Sequence, residues 1–229
     1  MAAEPYAPKS FMESLSNVDR AELLELGRGR AWAQGDVLVR AGEPADSGII
    51  LLSGLAKIHK SAVHGEEVVF AIAGAGDLFG EMSAIRDAPR SATVTALTAI
   101  DAAVLPAPEL RSFFSRHPGA VIALLELTLT RLYTADVQRL EFVAADSLGR
   151  VASRLIELAE RFGEPGDGGG ALEVPLPFNQ EELASWSGAS RESTARALRA
   201  LRELGVIQTR RLRLTVLDLE RLRQHAARI

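Results

Sequence analysis

Cysteine is entirely absent from the 229-residue sequence. This absence excludes a disulfide scaffold, a thiolate zinc site and a cysteine-bound iron–sulfur cluster. No apolar run approaches the roughly 18 residues that a membrane span needs, and the N-terminal sequence lacks the basic and apolar regions of a signal peptide. We therefore expect a soluble cytoplasmic protein. The four histidines are scattered, without metal-ligand or catalytic spacing, so we expect neither a metal site nor an enzyme.

The charge is distributed unevenly along the chain. Residues 1–146 contain 13 basic and 19 acidic residues, a net charge of −6, whereas residues 147–229 contain 13 arginines and 11 acidic residues, a net charge of +2. The chain is long enough for two ordinary domains. An acidic front and a basic tail indicate two different roles, and the basic tail suggests binding to a polyanion; a solvated charged face is the alternative.

Between residues 35 and 105, short apolar stretches alternate with glycine turns. The stretches recur about every 8–12 residues, a spacing typical of an all-β sandwich or jelly roll. They are residues 37–39, 49–52, 55–58, 68–72, 92–96 and 102–105. A short helical lead-in is expected before them, within residues 10–30, with Ser16 or Asn17 as its cap. One interruption, residues 79–92, is a poor strand and contains about one helical turn.

Residues 118–145 have the pattern of one long helix, with a proline suited to its first turn. Its apolar side chains repeat at three- and four-residue intervals over about four heptads, which indicates a coiled-coil seam between two copies of the chain. Packing against the chain's own β domain is the alternative. The stripe consists of Ile122, Leu125, Leu129, Leu132, Asp136, Leu140 (or Arg139) and Val143. Asp136 is a carboxylate in an apolar seam, so its position is hydrated, out of phase or occupied by a ligand.

The long helix is followed by a break at residues 146–149. A second amphipathic helix is expected over residues 150–162, and a glycine-rich loop over residues 163–170. Further helices, short strands and a terminal helix from about residue 218 complete the chain.

Two short helices around a glycine turn follow the loop. Asn179 caps the first helix, residues 180–186, and Glu182 reaches back from its first turn as in a capping box. Ser190 caps the second helix, which ends at Gly205. We expect the inner face of this second helix to consist of Ala195, Leu198, Leu201 and Leu204. Two helices joined in this way match a DNA-binding helix-turn-helix; a hairpin used only for packing is the alternative.

The polar residues of the second helix fit the chemistry of the DNA major groove. Arginine can donate two hydrogen bonds to guanine, and glutamate can accept one from the cytosine amine. Arg191 and Glu192 lie in the first turn, where a recognition helix meets base edges, and Arg196 lies about one turn further along. Residues 206–216 are expected to form a two-stranded wing near the phosphates. The predicted DNA contacts are Asn179, Gln180, Ser190, Arg191, Glu192, Thr194, Arg196, Arg210 and Arg211.

Two sequence motifs resemble those of a known family. Residues 188–196, Gly-Ala-Ser-Arg-Glu-Ser-Thr-Ala-Arg, look like the recognition-helix motif of the cyclic-AMP receptor protein/FNR (Crp/Fnr) family of bacterial transcription regulators. Residues 79–82, Phe-Gly-Glu-Met, with residues 89–94, Pro-Arg-Ser-Ala-Thr-Val, resemble its phosphate-binding cassette. The resemblance covers nearly the whole chain and implies an α+β fold: a cyclic-nucleotide-binding-like β jelly roll at 1–117, a long dimerisation helix at 118–145 and a winged helix-turn-helix at 146–229.

The cassette residues have the chemistry of an anion site. Gly80 lets backbone approach a ligand closely, and the helical turn after it offers free amides to an anion. Arg90 is a forked cationic donor suited to phosphate, whereas Glu81 would repel phosphate and is expected to face a sugar hydroxyl. The resemblance implies that the glutamate binds the ribose 2′-hydroxyl and that the arginine and serine bind a cyclic phosphate; a Glu81–Arg90 surface ion pair closing a turn is the alternative. The predicted ligand contacts are Gly80, Glu81, Met82, Arg90, Ser91, Ala92 and Asp136.

The contact to the base departs from the family pattern. The pair that resembles the family's adenine-binding Thr-Ser falls at Ala135 and Asp136, so both hydroxyls are absent. An ionised Asp136 can only accept, either from the exocyclic amine of adenine or from the N1 and N2 hydrogens of guanine. The resemblance implies cyclic AMP, with cyclic GMP and a pocket that senses nothing as alternatives. The family's iron–sulfur sensors need cysteines, and no haem is expected, because His59 and His64 lie in a turn-like stretch exposed to solvent and His117 at a helix start.

The resemblance also implies a ligand-controlled dimer. A nucleotide held between the β-roll and the residues near Asp136 would change the packing of the long helix. The helix would then set the separation of two recognition helices, which must be about 34 Å apart to enter successive major grooves. The expected target is palindromic double-stranded DNA with TGTGA-like half-sites, and RNA polymerase is an expected partner. The alternatives are a ligand-independent DNA binder with a vestigial pocket, and a cyclic-nucleotide-binding signalling module that acts on a protein partner.

Overall fold

A computed structural model of the chain describes residues 9–62, 65–166, 170–177 and 179–226. The chain divides into two compact units. The first holds the chain up to Glu66 together with Phe70–Leu132, and the second holds Glu67–Val69 and the chain from Tyr133 onward. Among the helices in the described part of the chain, none combines the length and hydropathy that crossing a bilayer requires.

Two four-stranded sheets form the centre of the first unit. The strands, in chain order, are β1 (Arg28–Trp32), β2 (Val37–Val39), β3 (Ser47–Ser53), β4 (Ala56–Ser61), β5 (Glu67–Ala73), β6 (Leu78–Phe79), β7 (Thr93–Ala96) and β8 (Ile100–Pro106). One sheet has the order β1-β8-β3-β6 and the other the order β2-β7-β4-β5. The neighbouring strands whose register is described all pair antiparallel. The predicted β jelly roll is therefore confirmed.

Short helices precede, interrupt and follow these strands along the chain. They are a 3₁₀ turn (Met12–Ser14), α1 (Asn17–Glu25), α2 (Glu81–Arg86) and α3 (Ala107–Arg116). The Ser16 hydroxyl accepts from the amide of Asp19 and caps α1, so Ser16 is the cap of the predicted lead-in helix. The lead-in ends earlier than expected, because β1 begins at Arg28. Only Trp32 of β1 is buried, so its sequence carries no apolar alternation that would predict a strand.

Strand β3 separates two hydrophobic cores. Ile49 and Leu51 belong to a cluster to which both sheets contribute, including Val94 of β7. Ile50, between them, belongs to a second cluster that includes Phe113 of α3. Successive side chains of a strand point to opposite faces, so a strand buried on both faces is apolar at every position. This explains why residues 49–51 are a continuous apolar run.

The helix α4 (Pro118–Ala144) is the long helix that the sequence predicts. On one face, Ala120 and Ala123 are buried in the second cluster, and Leu124 and Leu127 pack against it. The predicted seam lies on the other face, and its aliphatic members are each at least half exposed: Ile122, Leu125, Leu129, Leu132, Leu140 and Val143. The part of α4 that belongs to the first unit thus packs against that unit along one face, while the apolar side chains of the seam are exposed.

His117 stands at the start of α4. Its carbonyl accepts from the amides of Ala120 at 3.0 Å and Val121 at 3.3 Å. Its ring nitrogens lie 2.7 Å from the carboxylate of Asp19 and 3.2 Å from that of Glu22 in α1. His117 therefore belongs to a helix start, as predicted.

The second unit contains the remaining helices and a small sheet. After α4 come α5 (Ser147–Phe162), β9 (Glu164–Pro165), β10 (Leu172–Pro175), α6 (Gln180–Ser187), α7 (Arg191–Glu203), β11 (Ile207–Arg210), β12 (Arg213–Val216) and α8 (Leu219–Ala226). The sheet has the order β11-β12-β10-β9, and β11 with β12 forms the predicted wing. Residues 167–169 of the predicted loop lie outside the described residues.

Helix α5 begins three residues earlier than the sequence predicts. The side chain of Asp146 accepts from the amide of Gly149 at 2.8 Å and caps the helix, which therefore starts at Ser147 and not at Arg150. The apparent break in the chain is only the cap between α4 and α5.

The helix-turn-helix has the caps that the sequence predicts. The Asn179 side chain accepts from the amides of Glu181 and Glu182, and the Glu182 carboxylate accepts from the amide of Asn179 at 2.9 Å, which completes the capping box. Gly188 ends α6 in the left-handed conformation, with φ of 59°. The Ser190 hydroxyl accepts from the amide of Ser193 at 3.1 Å and caps α7.

Thr194 occupies the inner face of α7. The buried residues of the helix are Thr194, Ala197, Leu198 and Leu201, whereas Leu204 is exposed and Ala195 is only half-buried. The stripe is therefore rotated from the predicted one, although Leu198 and Leu201 belong to both. Thr194 is 0% exposed, so the prediction that its side chain contacts DNA is wrong. Its hydroxyl has no hydrogen-bond partner among the described residues.

We expect Thr194→Val to raise the free energy of unfolding by about 1 kcal/mol, because it removes a buried hydroxyl that lacks a partner. Chemical denaturation of the full chain measures this change. Thr209→Val is the matched control: the Thr209 hydroxyl accepts from Arg202 at 3.0 Å, so its removal should lower stability. A loss of stability in Thr194→Val, equal to that of the control, would contradict the assignment of an unpartnered hydroxyl.

Candidate functional site

The predicted cassette is a tight turn between β6 and α2. Gly80 adopts the left-handed conformation with φ of 78° and directly precedes Glu81, the first residue of α2. A Cβ added at Gly80 would collide with Nη1 of Arg90. Both the backbone conformation and the approach of this guanidinium therefore require glycine.

Arg90 is a buried cation held against the cassette. It is 6% exposed, and its Nη1 donates to the carbonyls of Ser47 at 2.6 Å and Gly80 at 3.3 Å. Its Nη2 donates to the Ser47 hydroxyl at 3.1 Å and lies 3.5 Å from the Asp46 carboxylate. Burial lowers the pKa of Arg90, and the carboxylates of Asp46, Glu43 and Glu81 oppose that shift. The structure thus brings Gly80 and Arg90 together, as the motif predicts.

Glu81 is also buried, but its partner is not Arg90. Its carboxylate, in a residue 3% exposed, accepts from Nη1 of Arg131 in α4 at 2.6 Å. Nη2 of Arg131 donates to the carbonyl of Leu78 at 2.6 Å. The alternative of a Glu81–Arg90 surface ion pair is therefore wrong, because both groups are buried and each has a different partner.

Arg131 and Ser47 are cassette residues that the sequence reasoning missed. Ser47 opens an apolar strand and carries no signal of its own. Arg131 had a weak signal: a carboxylate predicted to be held inside the cassette needs a cation, and the only basic residues of α4 are Arg131 and Arg139.

The other predicted ligand contacts have different exposures. Met82 is 53% exposed on the outer side of α2, Ser91 is exposed, and Ala92 is half-buried. Ser83 holds the far end of the cassette, where its hydroxyl donates to the carbonyl of Pro89 at 3.1 Å. Asp136 belongs to the second unit and pairs with Arg139 at 3.0 Å on the exposed surface of α4.

The histidines considered for a haem have other surroundings. His59 is buried, with Nε2 2.9 Å from the hydroxyl of Thr95, so the expectation that it is solvated is wrong. His64 lies outside the described residues. In the part of the chain that the structure describes, no three His, Cys, Asp or Glu side chains are grouped so as to hold a metal ion.

Helix α7 presents its predicted reading residues to the exterior. Arg191, Glu192 and Arg196 are exposed, opposite the buried stripe. Nη1 of Arg191 lies 3.9 Å from the Glu181 carboxylate, a long contact, and Nη2 of Arg196 donates to the Ser193 hydroxyl at 2.8 Å. These arginines are therefore available to an external acceptor at little cost, since exposed ion pairs are weak.

The wing adds further positive charge. Arg210 and Arg211 are exposed at the turn between β11 and β12, where Leu212 adopts a left-handed φ of 58°. Asn179, Gln180 and Ser190 are exposed at the starts of α6 and α7, and their contact with DNA remains a prediction.

Both regions match known protein families. Residues 30–117 match the cyclic nucleotide-binding domain, and residues 149–225 match the Crp-like helix-turn-helix domain. The cassette lies within the first match and the helix-turn-helix within the second.

Full-length relatives extend these matches. A protein of Mycobacterium tuberculosis described as a CRP-like cAMP-activated global transcriptional regulator is 35% identical over 223 residues, covering 97% of this chain and 93% of that protein. A cyclic AMP receptor protein of Thermus thermophilus is 29% identical over 179 residues, covering 78% of this chain and 79% of that protein. The structure of FixK2 from Bradyrhizobium japonicum shares the fold, with a TM-score of 0.74 at 19% identity over 88% of this chain and 98% of that one.

The match to the mycobacterial regulator spans nearly the whole length of both proteins, and the two domain matches follow each other in the same order as the cassette and the helix-turn-helix. The chain therefore belongs to the Crp/Fnr family of transcription regulators, with a cyclic nucleotide-binding domain followed by a helix-turn-helix domain.

Proposed function

We propose that the protein is a homodimeric transcription regulator that binds palindromic DNA under the control of a cyclic nucleotide. The observation that carries the proposal is α7: its inner face is fully packed, yet Arg191, Glu192 and Arg196 at its start are exposed. Arginine and glutamate side chains can form hydrogen bonds with base edges in the major groove. The family resemblance implies that the target contains TGTGA-like half-sites. We place its action in the cytoplasm, where its DNA target lies, with RNA polymerase as a partner.

The proposed ligand is cyclic AMP, with cyclic GMP as the alternative. A cyclic phosphate needs donors, and Arg90 has five N–H groups, more than the three acceptors that it meets in the protein. The exposed Ser91 hydroxyl and the amides of Met82 and Ser83 supply further donors at the first turn of α2. The ligand is bound and released unchanged, so no catalysis is expected.

The sugar and base contacts complete the proposal. Glu81 accepts the ribose hydroxyl, since a carboxylate oriented by Arg131 still has lone pairs to offer. Asp136 is the proposed contact to the base, on the sequence argument alone. The ion pair between Asp136 and Arg139 is exposed, so replacing Arg139 by an amine of the ligand costs little free energy.

We expect isothermal titration of the full chain to give heat with cyclic AMP. Ser91→Ala should weaken the affinity by roughly tenfold or more, because it removes a hydrogen bond to a charged phosphate. Ser112→Ala, an exposed serine of α3, is the control and should bind as the unmodified chain does. A heat of binding with cyclic GMP but none with cyclic AMP would identify cyclic GMP as the ligand. No heat with either nucleotide, alongside intact DNA binding, would favour the vestigial pocket.

We expect Arg191→Ala to cost about 1–3 kcal/mol of binding free energy at a palindrome and to relax selection at one guanine. Fluorescence anisotropy against duplexes substituted at each position of the half-site measures both effects. The control is Arg199→Ala, an exposed arginine of the same helix about two turns later, which should weaken all duplexes uniformly. Full site selectivity in Arg191→Ala would show that α7 is not the reading helix.

We expect Leu125→Glu with Leu132→Glu to convert the dimer into a monomer, because two charges enter an apolar seam that is buried only in the dimer. Sedimentation velocity measures the oligomeric state. Val18→Glu, which replaces a 74% exposed aliphatic residue of α1, is the matched control and should leave the dimer intact. If the unmodified chain is a monomer, the assignment of the α4 seam as a dimer interface is wrong.

A further inference from the structure

Arg154 of α5 is a buried arginine that the proposed function does not use. It is 5% exposed, and its Nη2 donates to the carboxylate of Glu141 in α4 at 2.6 Å. Its Nη1 donates to Glu157, one turn later in α5, at 3.0 Å. Its guanidinium also lies 5.7 Å from the ring centroid of Trp186 in α6. A single side chain therefore joins α4, α5 and α6.

A second arginine, one helical turn earlier, makes a parallel connection. Arg150 donates to the carbonyl of Ala145, next to the end of α4, at 2.6 Å. It also donates to the carbonyls of Ser187 at 3.0 Å and Gly188 at 3.2 Å, in the turn between α6 and α7. A Cβ added at Gly188 would lie 3.1 Å from the ring of Phe142. The last turn of α4 thus packs directly against the turn of the helix-turn-helix.

These contacts restrict orientation more than they add stability. A buried ion pair gains little net free energy, because desolvation offsets the attraction, but it tolerates few alternative geometries. Burial raises the pKa of Glu157, and the charge of Arg154 opposes that shift. Glu157 lies on α5 itself, so its contact cannot fix α5 relative to α4. Of the two carboxylates that Arg154 contacts, Glu141 is the one that lies on α4, across the cap at Asp146.

We propose that Arg154, through Glu141, is a positioning residue that fixes the helix-turn-helix in one direction relative to the last turns of α4. The inference rests on the proposed function, because it concerns how two recognition helices meet one palindrome. If α4 pairs with its copy, its end determines where each reading helix points. A loosened connection leaves each reading helix intact but no longer holds both at the separation of successive major grooves.

The test compares two glutamate-to-alanine substitutions of equal size, each of which removes one carboxylate partner of Arg154. Glu141→Ala removes the partner on α4, and Glu157→Ala removes the partner on α5; each leaves Arg154 one carboxylate. Full-length protein with saturating cyclic AMP is titrated, by anisotropy, with a single half-site duplex, with the palindrome, and with palindromes lengthened or shortened by one and two base pairs.

Glu141→Ala should keep its half-site affinity within about twofold, while the gain of the palindrome over the half-site, commonly 10² to 10⁴ for bivalent binding, falls at least about tenfold. Its affinity should also depend less on the number of base pairs between the two half-sites. Glu157→Ala should keep the spacing preference of the unmodified chain. Glu141→Gln, which keeps an acceptor oxygen for Arg154, should recover most of the gain. If Glu141→Ala does not fold, Glu141→Leu, which removes the acceptor but leaves less empty space, takes its place with the same expected loss.

A role in stability alone would lower the melting temperature of both alanine variants and leave the spacing preference unchanged in both, and that result would overturn the inference. An equal loss of spacing preference in Glu141→Ala and Glu157→Ala would also overturn it, because the contact to α4 would then not matter. An unmodified chain that binds no palindrome better than a half-site refutes the proposed function itself, which separates the two failures.

Discussion

The cassette depends on one buried charge, the guanidinium of Arg90. A buried cation must be matched by acceptors, and here the carbonyls of Ser47 and Gly80 and the Ser47 hydroxyl provide them. These contacts join the start of β3 to the turn before α2. They require a residue without a side chain at position 80, because a Cβ there would collide with the guanidinium. The glycine, the arginine and the turn are therefore a single constraint, and a change at any one of them alters the others.

The second charge of the cassette is separated from the first. Glu81 lies beside Gly80 and contributes to the field at Arg90, yet it bonds to Arg131. Two opposite charges thus stay close without neutralising each other, an arrangement suited to a ligand that carries both an anion and hydroxyl groups. The same ion pair attaches the cassette to α4 within the first unit. A ligand can shift a conformational equilibrium only through different affinities for the two states, and under the proposed function the carboxylate that Glu81 shares with α4 would be the source of such a difference.

Secondary-structure elements with a local periodic pattern could be predicted from the sequence, whereas irregular strands and contacts between distant residues could not. Apolar stretches located most strands, but β1 and β6 lacked an alternating or long enough pattern. Motifs located Gly80, Glu81 and Arg90, whereas Arg131 pairs with a residue 50 positions away and belongs to no local motif. The phase of α7 was misread because Thr194, polar by type, takes a core position. Position 146 was read as the end of one helix when its side chain caps the next.

The basic tail contains arginines with two distinct physical roles. Those of α7 and the wing, such as Arg191 and Arg210, are exposed, so their charge reaches solvent and any polyanion in it. Arg154, in α5, faces two carboxylates and contributes little to that field. The excess positive charge of residues 147–229 is thus concentrated on the recognition helix and wing, although the count of arginines alone does not reveal this. A charge count separates the two halves of the chain, but only burial distinguishes an arginine that can meet DNA from one that holds helices together.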